Sequence, residues 1–582
     1  MKRRVLIITA ILALLLGAMT VGAAANNQTL QDAISNAENG ATVTLYTAAT
    51  EAVSVDKDLV LDLNGNDIFE LNVAEGKTVT VFDSRTDDYS VSDNIYGKIH
   101  AHSGNVCAAN GYLAVTEDTA LSFHKLTMEI TAMSLRTAKE AEQDPGVYYK
   151  SNFCGDEVVA AQIEKFGIAL NIKEAPNATN MSTTSVASSF STFAAGETGN
   201  AGKTGTLVKG VIKSTNSEAN NERNAGMPIY GAPYVQLKNG TYIFGNTAQR
   251  SLRQQMEMVD NNWSSYTAKA QESVLWMFRN CKNMISKWNI PNILEEMNAP
   301  LSDGKTLKLL AISSSFGENT NHYVYDAAIA EGFENVIIGR LYSGGCTLQT
   351  HLEKALSGEN FYRYTKIQDG TWEEYKNTSM LTALQDEDWD VIFMQQSAHR
   401  SPLPETYVSG DIDYIDELVS YVRANKTNPK ARFIWNLCWA FENGAPESEV
   451  WNRYGRNQLN MYQGLIDTLE QRVLTKNHFD AIIPTGTAVQ NLRTSYIGDT
   501  LTKDKLHLNH LGRIMAAYTV LATVTGEPIT EINISTFAKD KTENFPITEI
   551  TEQDKLAIME AVNNAITNPY EVTQSTYTTK AE

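Results

Sequence analysis

The sequence predicts a multidomain protein in which all-β modules precede an α/β/α domain built on a parallel sheet. The chain has 582 residues, which is well above the roughly 100 to 200 expected of one domain. Short alternating apolar stretches recur up to about residue 250, and this pattern is typical of strands. From about residue 305, buried apolar runs alternate with segments of helical periodicity, which favours parallel strands joined by helices.

Residues 1–25 have the pattern of a secretory signal. A basic start at Lys2, Arg3 and Arg4 precedes an apolar run, and small residues end it, with cleavage expected near Ala25. No later run of about 18 apolar residues occurs, so we expect a secreted or cell-surface protein without a transmembrane segment. Loss of the three basic residues takes the formal charge from −20 to −23, which argues against nucleic acid or anionic membrane as a partner.

The five cysteines lie far apart in the sequence. They are Cys107, Cys154, Cys281, Cys346 and Cys438, without any C-x-x-C spacing. This pattern predicts mostly small buried residues instead of a disulfide framework, although a bridge between Cys107 and Cys154 stays open. The sequence shows no zinc-ligand pattern and indicates no cofactor.

Residues 26–105 predict a first β module. A short helix is expected at residues 30–40, followed by strands at 41–46, 52–55, 59–65, 78–82 and 96–99. This opening, and Leu61-Asp-Leu-Asn-Gly65 in particular, resembles the capping helix and first coils of right-handed parallel β-helix domains in secreted bacterial carbohydrate-active proteins. An ordinary β-sandwich is the alternative.

Residues 106–250 predict a second β-rich module, with strands at 112–115, 166–172, 205–212 and 234–237. The stretch 177–205 is rich in Ser, Thr, Gly and Asn and is expected to be a loop. Residues 251–300 change to helical spacing, as in Leu252, Met256 and Val259, and predict a helical linker.

Residues 305–530 carry the α/β pattern. Strands are expected at 307–314, 335–341, 390–394, 432–437 and 481–483, helices at 323–331, 348–357, 414–424 and 449–474, and a hairpin at 362–375. Residues 531–582 predict a C-terminal helix at 555–566, opened by a capping box from Thr551 to Asp554, and a disordered tail.

Polar residues stand where the predicted strands end, which is where parallel sheets place their chemistry. Ser315 follows the first strand, and Asp504 and His507 lie near the end of the alternating pattern. A serine hydroxyl becomes a good nucleophile when an imidazole takes its proton, and a carboxylate orients that imidazole. These residue types make Ser315, His507 and Asp504 candidates for a catalytic triad.

Other assignments of these roles remain open. Ser313 and Ser314 compete with Ser315 as the nucleophile, and His510 is an alternative base. A serine between a strand and a helix is otherwise most often an N-cap. His351 and His399 lie near strand ends, where they would be either surface or structural residues or would border the pocket.

The order of these blocks resembles that of SGNH or GDSL-type hydrolases, which run serine, glycine, asparagine and then Asp-x-x-His before the last helix. Within that group the chain is similar to a secreted bacterial branch of poorly characterised activity. The blocks that carry this are Ile312-Ser-Ser-Ser-Phe316, Gly344-Gly-Cys346, the pair Gln395-Gln396 and Pro484-Thr-Gly-Thr487. The resemblance covers about residues 305–525 and implies a flavodoxin-like hydrolase domain.

The resemblance also implies an oxyanion hole of preorganised donors. The backbone N–H groups of Ser315 and Gly345 would serve, together with a side-chain amide. The sequence departs from the family here, because Gln396 or Gln395 stands in place of an asparagine. The serine block departs as well, with Ser-Ser-Ser-Phe in place of Gly-Asp-Ser-Leu.

Two further residues are candidates for substrate binding. Arg493 would either face the substrate or lie on a helix surface. Trp439, at the end of its strand, would either floor a sugar site or pack in the core.

These expectations converge on a secreted serine esterase that removes O-acetyl or similar acyl groups from carbohydrate through an acyl-enzyme on Ser315. Its partner would be an acylated polysaccharide or oligosaccharide. The alternative is a catalytically inactive cell-surface protein for carbohydrate binding or adhesion. A third hypothesis places lyase or glycosidase activity in the β-helix-like part.

Overall fold

The computed structural model describes residues 21–22, 29–87, 96–136, 146–181, 183–187, 206–213, 226–279, 288–476, 478–537 and 549–580. The chain divides into two compact units, with the main division between Met256 and Glu257. Most of the predicted signal sequence, including Ala25, lies outside the described residues. In the part of the chain that the structure describes, no helix is long and apolar enough to cross a membrane.

The first unit is rich in β-structure, as predicted. Its strands are β1 Val21–Gly22, β2 Thr42–Thr44, β3 Ala49–Val55, β4 Leu59–Asp62, β5 Ile68–Val73, β6 Thr78–Phe82, β7 Lys98–Ser103, β8 Asn105–Ala108, β9 Tyr112–Glu117, β10 Ala120–Arg136, β11 Gly146–Gly155, β12 Ile163–Asn171, β13 Thr183–Ala187, β14 Thr206–Lys213, β15 Ile229–Leu237, β16 Tyr242–Phe244 and β17 Ala248–Arg250. Its helical segments are Leu30–Asn36, Ser84–Asp87 and Glu157–Gln162.

From β2 to β8, successive strands alternate between two sheets, and within each sheet these strands run parallel. Strands β2, β4, β6 and β8 pair in parallel in one sheet, and β3, β5 and β7 pair in parallel in another. Every second side chain of a strand points to the same face, and side chains such as Val43, Leu61 and Leu71 are fully buried between the two sheets. Successive strands therefore follow one another as in the coils of a parallel β-solenoid.

The predicted boundary near residue 105 does not separate two modules. Strand β10 pairs antiparallel with β7, so that Leu121 lies opposite Ile99, and β11 and β14 extend the same sheet. A continuous hydrogen-bonded ladder thus joins the two predicted modules in one unit. The predicted loop at 177–205 contains β13, which pairs with β12, and residues 182 and 188–205 lie outside the described residues.

The cysteines follow the prediction that most are buried. Cys154, Cys346 and Cys438 are buried and Cys107 is half-buried. Cys107 and Cys154 do not form the bridge that the sequence left open. Cys281 lies outside the described residues.

The second unit holds the predicted α/β domain. Its strands are β18 Thr306–Ser313, β19 Asn335–Tyr342, β20 Tyr362–Gln368, β21 Thr371–Thr378, β22 Val391–Met394, β23 Val408–Ser409, β24 Ile412–Asp413, β25 Arg432–Asn436 and β26 Ala481–Ile483. Its α-helices are Ala268–Arg279, Pro291–Asn298, Ser315–Thr320, Val324–Ala330, Leu348–Ser357, Met380–Gln385, Tyr414–Asn425, Glu449–Arg453, Gln458–Arg472, Thr485–Arg493, His510–Thr525 and Glu552–Thr567, and the helix Leu252–Asn261 spans the division between the units. Short 3₁₀ segments are Trp263–Ser265, Pro404–Tyr407 and Leu474–Lys476.

Most of these strands form one sheet in the order β21-β20-β19-β18-β22-β25-β26. The five strands from β19 to β26 pair in parallel, and the predicted hairpin β20–β21 extends the sheet antiparallel beyond β19. Counted along the chain, the parallel strands lie in the order 2-1-3-4-5. Because crossovers between parallel strands are almost always right-handed, this order is the one expected of a sheet with helices on both faces.

The predicted helical linker contributes to the packing of the second unit. Trp276 lies in the hydrophobic core of that unit, and Glu272 accepts two hydrogen bonds from Arg423, at 2.9 and 2.6 Å. The helix predicted at 449–474 is divided, because Gly455 and Arg456 adopt positive φ angles of 65° and 54°.

Residues 571–580 are ordered, contrary to the prediction of a disordered tail. The capping box of Thr551 and Asp554 opens the last helix as predicted. Beyond it, the backbone N–H of Thr573 donates to Asn491 Oδ1 at 2.7 Å, and that of Ser575 donates to Thr494 Oγ1 at 2.8 Å. Side-chain acceptors of a distant helix thus hold a segment whose own composition is polar.

Burial of Asp326 makes the stability of the second unit pH-dependent. Burial raises the pKa of this carboxyl to about 6, although its own backbone N–H and Arg340 oppose the shift. Because the folded pKa exceeds the unfolded value, the stability present below pH 4 is lost as the pH rises through about 6. We expect Asp326→Asn to stabilise the fold by about 2 kcal/mol at neutral pH and by little near pH 4, measured by urea unfolding.

The matched control is Asp369→Asn, which removes the carboxylate of an exposed turn residue on the same unit. It should show no such pH-dependent gain. A neutral-pH stability of Asp326→Asn at or below that of the unmodified protein would contradict the assignment.

Candidate active site

Ser315 lies at the carboxyl edge of the parallel sheet. Strand β18 ends at Ser313, and Ser315 is the first residue of the helix that follows. Ser314 occupies the N-cap position, without a side-chain capping bond. Ser313 and Ser314 are 0% and 1% exposed, whereas Ser315 is half-buried. Of the three serines, Ser315 has the hydroxyl that a substrate can reach.

The structure brings the three predicted triad residues together. Ser315 Oγ lies 3.0 Å from His507 Nε2, and His507 Nδ1 lies 2.7 Å from Asp504 Oδ2. A ring that donates its Nδ1–H to the carboxylate keeps Nε2 free to accept the serine proton. In this geometry an imidazole can take the proton of a serine hydroxyl.

The local backbone explains why Asp504 reaches His507 across two residues. Asp504 Oδ1 accepts the backbone N–H groups of Leu506 at 3.0 Å and His507 at 2.7 Å, which closes a tight turn. Burial by itself opposes ionisation of Asp504, but the hydrogen bonds from the backbone and ring of His507 outweigh it and lower its pKa. Asp504 is therefore ionised at neutral pH.

Phe316 and Trp439 stack on each other beside His507. Their rings stack with centroids 4.0 Å apart and planes 5° apart, and the Phe316 ring meets His507 edge to face at 5.8 Å. Trp439 Nε1 also donates to the carbonyl of Leu506 at 2.9 Å. Trp439 is fully buried, which favours the packing alternative over the sugar site.

The two glutamines occupy different places. Gln395 Nε2 donates to Ser314 Oγ at 3.3 Å, so this amide lies beside the serine block, and its Oε1 accepts from Asn436 at 3.0 Å. The Gln396 side chain is used elsewhere. Its Oε1 accepts the backbone N–H groups of Leu348 at 3.0 Å and Ser397 at 2.9 Å, which joins the start of the helix Leu348–Ser357 to the segment after β22. The structure therefore brings Gln395, and not Gln396, next to the nucleophile block.

Gly345 lies in the exposed loop after β19 with φ +65°, a left-handed conformation that favours glycine. The backbone N–H of Ser343 donates to the carbonyl of Ser313 at 3.4 Å. This bond holds the start of the glycine loop against the end of β18.

Arg493 neither faces the substrate region nor lies on a surface, since its side chain is only 4% exposed. Its Nη1 donates to the carbonyl of Ala440 at 3.0 Å, and its Nε lies 2.9 Å from Asp499 Oδ1. Burial lowers the pKa of this guanidinium to about 10, with Asp499 and Glu442 opposing the shift, so it stays charged at neutral pH.

The other histidines take different positions. His510 is fully buried and its Nδ1 hydrogen-bonds to the Tyr323 hydroxyl, so it is a helix-packing residue. His351 is buried against the Tyr362 hydroxyl at 2.9 Å, and burial lowers its pKa to about 3. His399 is exposed, with its ring 5.1 Å from that of Phe441, and desolvation lowers its pKa, with Arg400 and His507 adding to the shift. His399 is thus the one of the three that borders the site.

Glu442 also contacts the loop of Asp504 and His507 and was not predicted from the sequence. Its carboxylate accepts from the Lys505 ammonium, inside the loop that carries Asp504 and His507. The only signal for it was its place at the carboxyl edge, shortly after strand β25.

A second group of the same three residue types occurs in the first unit. Ser122 Oγ lies 3.0 Å from His124 Nε2, and His124 Nδ1 lies 2.6 Å from Asp156 Oδ2. Ser122 and His124 are both fully buried, and the serine hydroxyl also donates to the carbonyl of Val115 at 3.2 Å. This serine has no route to a substrate, so the group is a structural one.

The second unit is thus an α/β domain with a partly exposed Ser–His–Asp arrangement at the carboxyl edge of a parallel sheet. Residues 308–545 match the family described as "Domain of unknown function (DUF4886)". A solved structure of a DUF4886 family protein from Bacteroides uniformis ATCC 8492 is 31% identical to the chain, with 47% of this chain and 100% of that chain covered and a TM-score of 0.42. The chain belongs to the DUF4886 family. No curated protein matches it.

Proposed function

We propose that the protein is a secreted SGNH-type serine esterase that removes O-acetyl or similar acyl groups from carbohydrate. The observation that carries this proposal is the hydrogen-bonded chain from the half-buried Ser315 through His507 to Asp504. The strand order 2-1-3-4-5 supports it, because this is the flavodoxin-like order that the family resemblance implies.

The reaction follows from the two hydrogen bonds. His507 Nε2 takes the proton of Ser315 while Oγ attacks the acyl carbon, and Asp504 stabilises the imidazolium that forms. The imidazolium then protonates the departing sugar oxygen, which releases the alcohol and leaves an acyl-enzyme. Water, deprotonated by His507, attacks this ester, and collapse of the second intermediate releases acetate and restores the serine.

The oxyanion that forms in both steps needs donors beside Ser315. We assign this role to the backbone N–H groups of Ser315 and Gly345. The first N–H groups of a helix have no acceptor within the helix, so that of Ser315 is available. Gln395 is the better placed glutamine for a third donor, because its amide lies beside Ser314.

The carbohydrate substrate and the secreted location rest on other parts of the chain. The signal-like pattern of residues 1–25 supports export, and the parallel β-coils of the first unit support a role on polysaccharide. The buried Ser122 group argues against a second serine-hydrolase site there.

A fluorophosphonate probe tests the proposal on the full chain. An activated serine attacks phosphorus and displaces fluoride, so we expect one covalent adduct, on the peptide that holds Ser315, located by tandem mass spectrometry. Preincubation with the probe should also abolish acetate release from an O-acetylated polysaccharide.

The matched control is Ser122→Ala, which removes the serine of the buried group in the first unit and should label like the unmodified protein. Ser315→Ala should not label. Absence of labelling, together with retained binding of polysaccharide, would overturn the esterase proposal in favour of the inactive carbohydrate-binding alternative.

A further inference from the structure

Glu442 contacts the loop that carries the base and the acid of the triad. It is 4% exposed, and its backbone N–H donates to the carbonyl of Lys505 at 3.0 Å. Its carboxylate accepts from the Lys505 ammonium through one oxygen and from the Thr502 hydroxyl through the other. One buried residue thus binds the main chain and two side chains of the loop.

Lys505 needs such support because of its backbone conformation. Its φ is +72°, in the left-handed region that residues with a Cβ seldom adopt and that the surrounding structure must stabilise. Glu442 binds the carbonyl of Lys505, and Trp439 binds the carbonyl of Leu506. Lys505 and Leu506 are the two residues between Asp504 and His507, so both of their carbonyl groups are held.

The backbone on each side of Glu442 in the chain is also hydrogen-bonded. Arg493 donates to the carbonyl of Ala440 at 3.0 Å, and Asp499 Oδ2 accepts the backbone N–H of Asn443 at 2.8 Å. Arg493 and Asp499 pair with each other at 2.9 Å. An ion pair between a buried guanidinium and a half-buried carboxylate therefore anchors the segment from which Glu442 reaches the loop.

We infer that Glu442 is a positioning residue for the triad, which holds the Asp504–His507 turn so that Nε2 faces Ser315. This inference rests on the proposed esterase function. Glu442 touches neither Ser315 nor His507, so it acts on the reaction only through the shape of the loop.

Glu442→Gln tests this role because it keeps the size of the side chain and removes the charge that pairs with Lys505. We expect kcat for p-nitrophenyl acetate to fall about 10- to 100-fold, since misplacement of a catalytic group by about 1 Å has effects of this size. KM should stay within about twofold, because substrate contacts are not changed. Glu359→Gln is the control, since Glu359 pairs with Lys354 at 2.7 Å in an exposed ion pair.

Amide hydrogen exchange gives a readout that does not depend on activity. The amides of Leu506 and His507 bind Asp504, so peptides covering residues 503–508 should exchange faster in Glu442→Gln than in Glu359→Gln. If the unmodified protein hydrolyses no ester while the loop exchange responds, the esterase proposal fails and the contact between Glu442 and the loop is supported. Unchanged exchange, or faster exchange with unchanged kcat in an active enzyme, would overturn the inference.

Substitutions of Lys505 separate the ion pair from the backbone conformation. Lys505→Ala loses the ammonium and keeps the cost of a positive φ, whereas Lys505→Gly loses the ammonium and removes that cost. We expect kcat to fall in the order unmodified, Lys505→Gly and Lys505→Ala, with Lys505→Arg restoring most of the loss. Full activity in Lys505→Ala would overturn the proposed role of the pair.

Discussion

Replacing Ser315 with alanine should lower kcat for p-nitrophenyl acetate by about 10⁴-fold or more, because the variant has no nucleophile to form the acyl-enzyme. The helix Ser315–Thr320 and the stacking of Phe316 on Trp439 do not involve the Ser315 hydroxyl, so the fold should be preserved. The measurement is steady-state hydrolysis by the purified full chain, together with a thermal unfolding curve that shows the variant is folded.

Three further variants test whether the loss of activity is specific to the triad. Ser122→Ala should leave the rate unchanged, because that serine belongs to the buried group in the first unit. His507→Ala should lose about as much as Ser315→Ala, and the double variant should lose little more, since the two residues act as one unit. Full activity in Ser315→Ala would contradict the assignment of the nucleophile.

Replacing Asp504 with asparagine should lower kcat by about 10²- to 10⁴-fold. The amide can still accept the backbone N–H groups of Leu506 and His507 through its oxygen. Its NH₂ group would then face His507 Nδ1 and favour the tautomer that carries the proton on Nε2, which cannot accept from Ser315. The Asp504 side chain is 48% exposed, so water can partly replace its charge, and we expect a loss toward the lower end of that range.

Asp303→Asn is the matched control for this variant. Asp303 Oδ1 accepts the backbone N–H groups two and three residues further on, those of Lys305 and Thr306, both at 2.8 Å. The turn is of the same kind as that of Asp504, without a histidine. Asp303→Asn should therefore keep full activity, and an equal loss in both variants would show that the Asp504 effect is not catalytic.

Local signals predicted much of the second unit. Apolar runs located its parallel strands, and the hairpin, the helix Leu348–Ser357 and the capping box of the last helix were expected from spacing and turn chemistry. The resemblance of the serine and Asp-x-x-His blocks to those of SGNH-type hydrolases led to the prediction that Ser315, His507 and Asp504 meet, which they do. This works because the carboxyl ends of parallel strands share one edge, whatever the details of packing.

Contacts between distant residues were not predictable in the same way. Strand β10 joins the two predicted β modules through its pairing with β7, and the C-terminal segment is ordered by acceptors on Asn491 and Thr494. In both cases the residues that fix the segment lie far from it in the sequence. Propensity and composition describe a stretch of chain alone, and its partners can override them.

Periodicity and short spacings are local properties, and they were enough to predict β-rich modules followed by an α/β domain and to make Ser315, His507 and Asp504 candidates for the site. Packing settled three further points. Ser315 is accessible whereas Ser313 and Ser314 are buried, Trp439 and Arg493 pack in the core beside the site, and Glu442 binds the loop that carries Asp504 and His507. Burial and hydrogen-bond partners depend on residues that packing brings together from far apart in the chain.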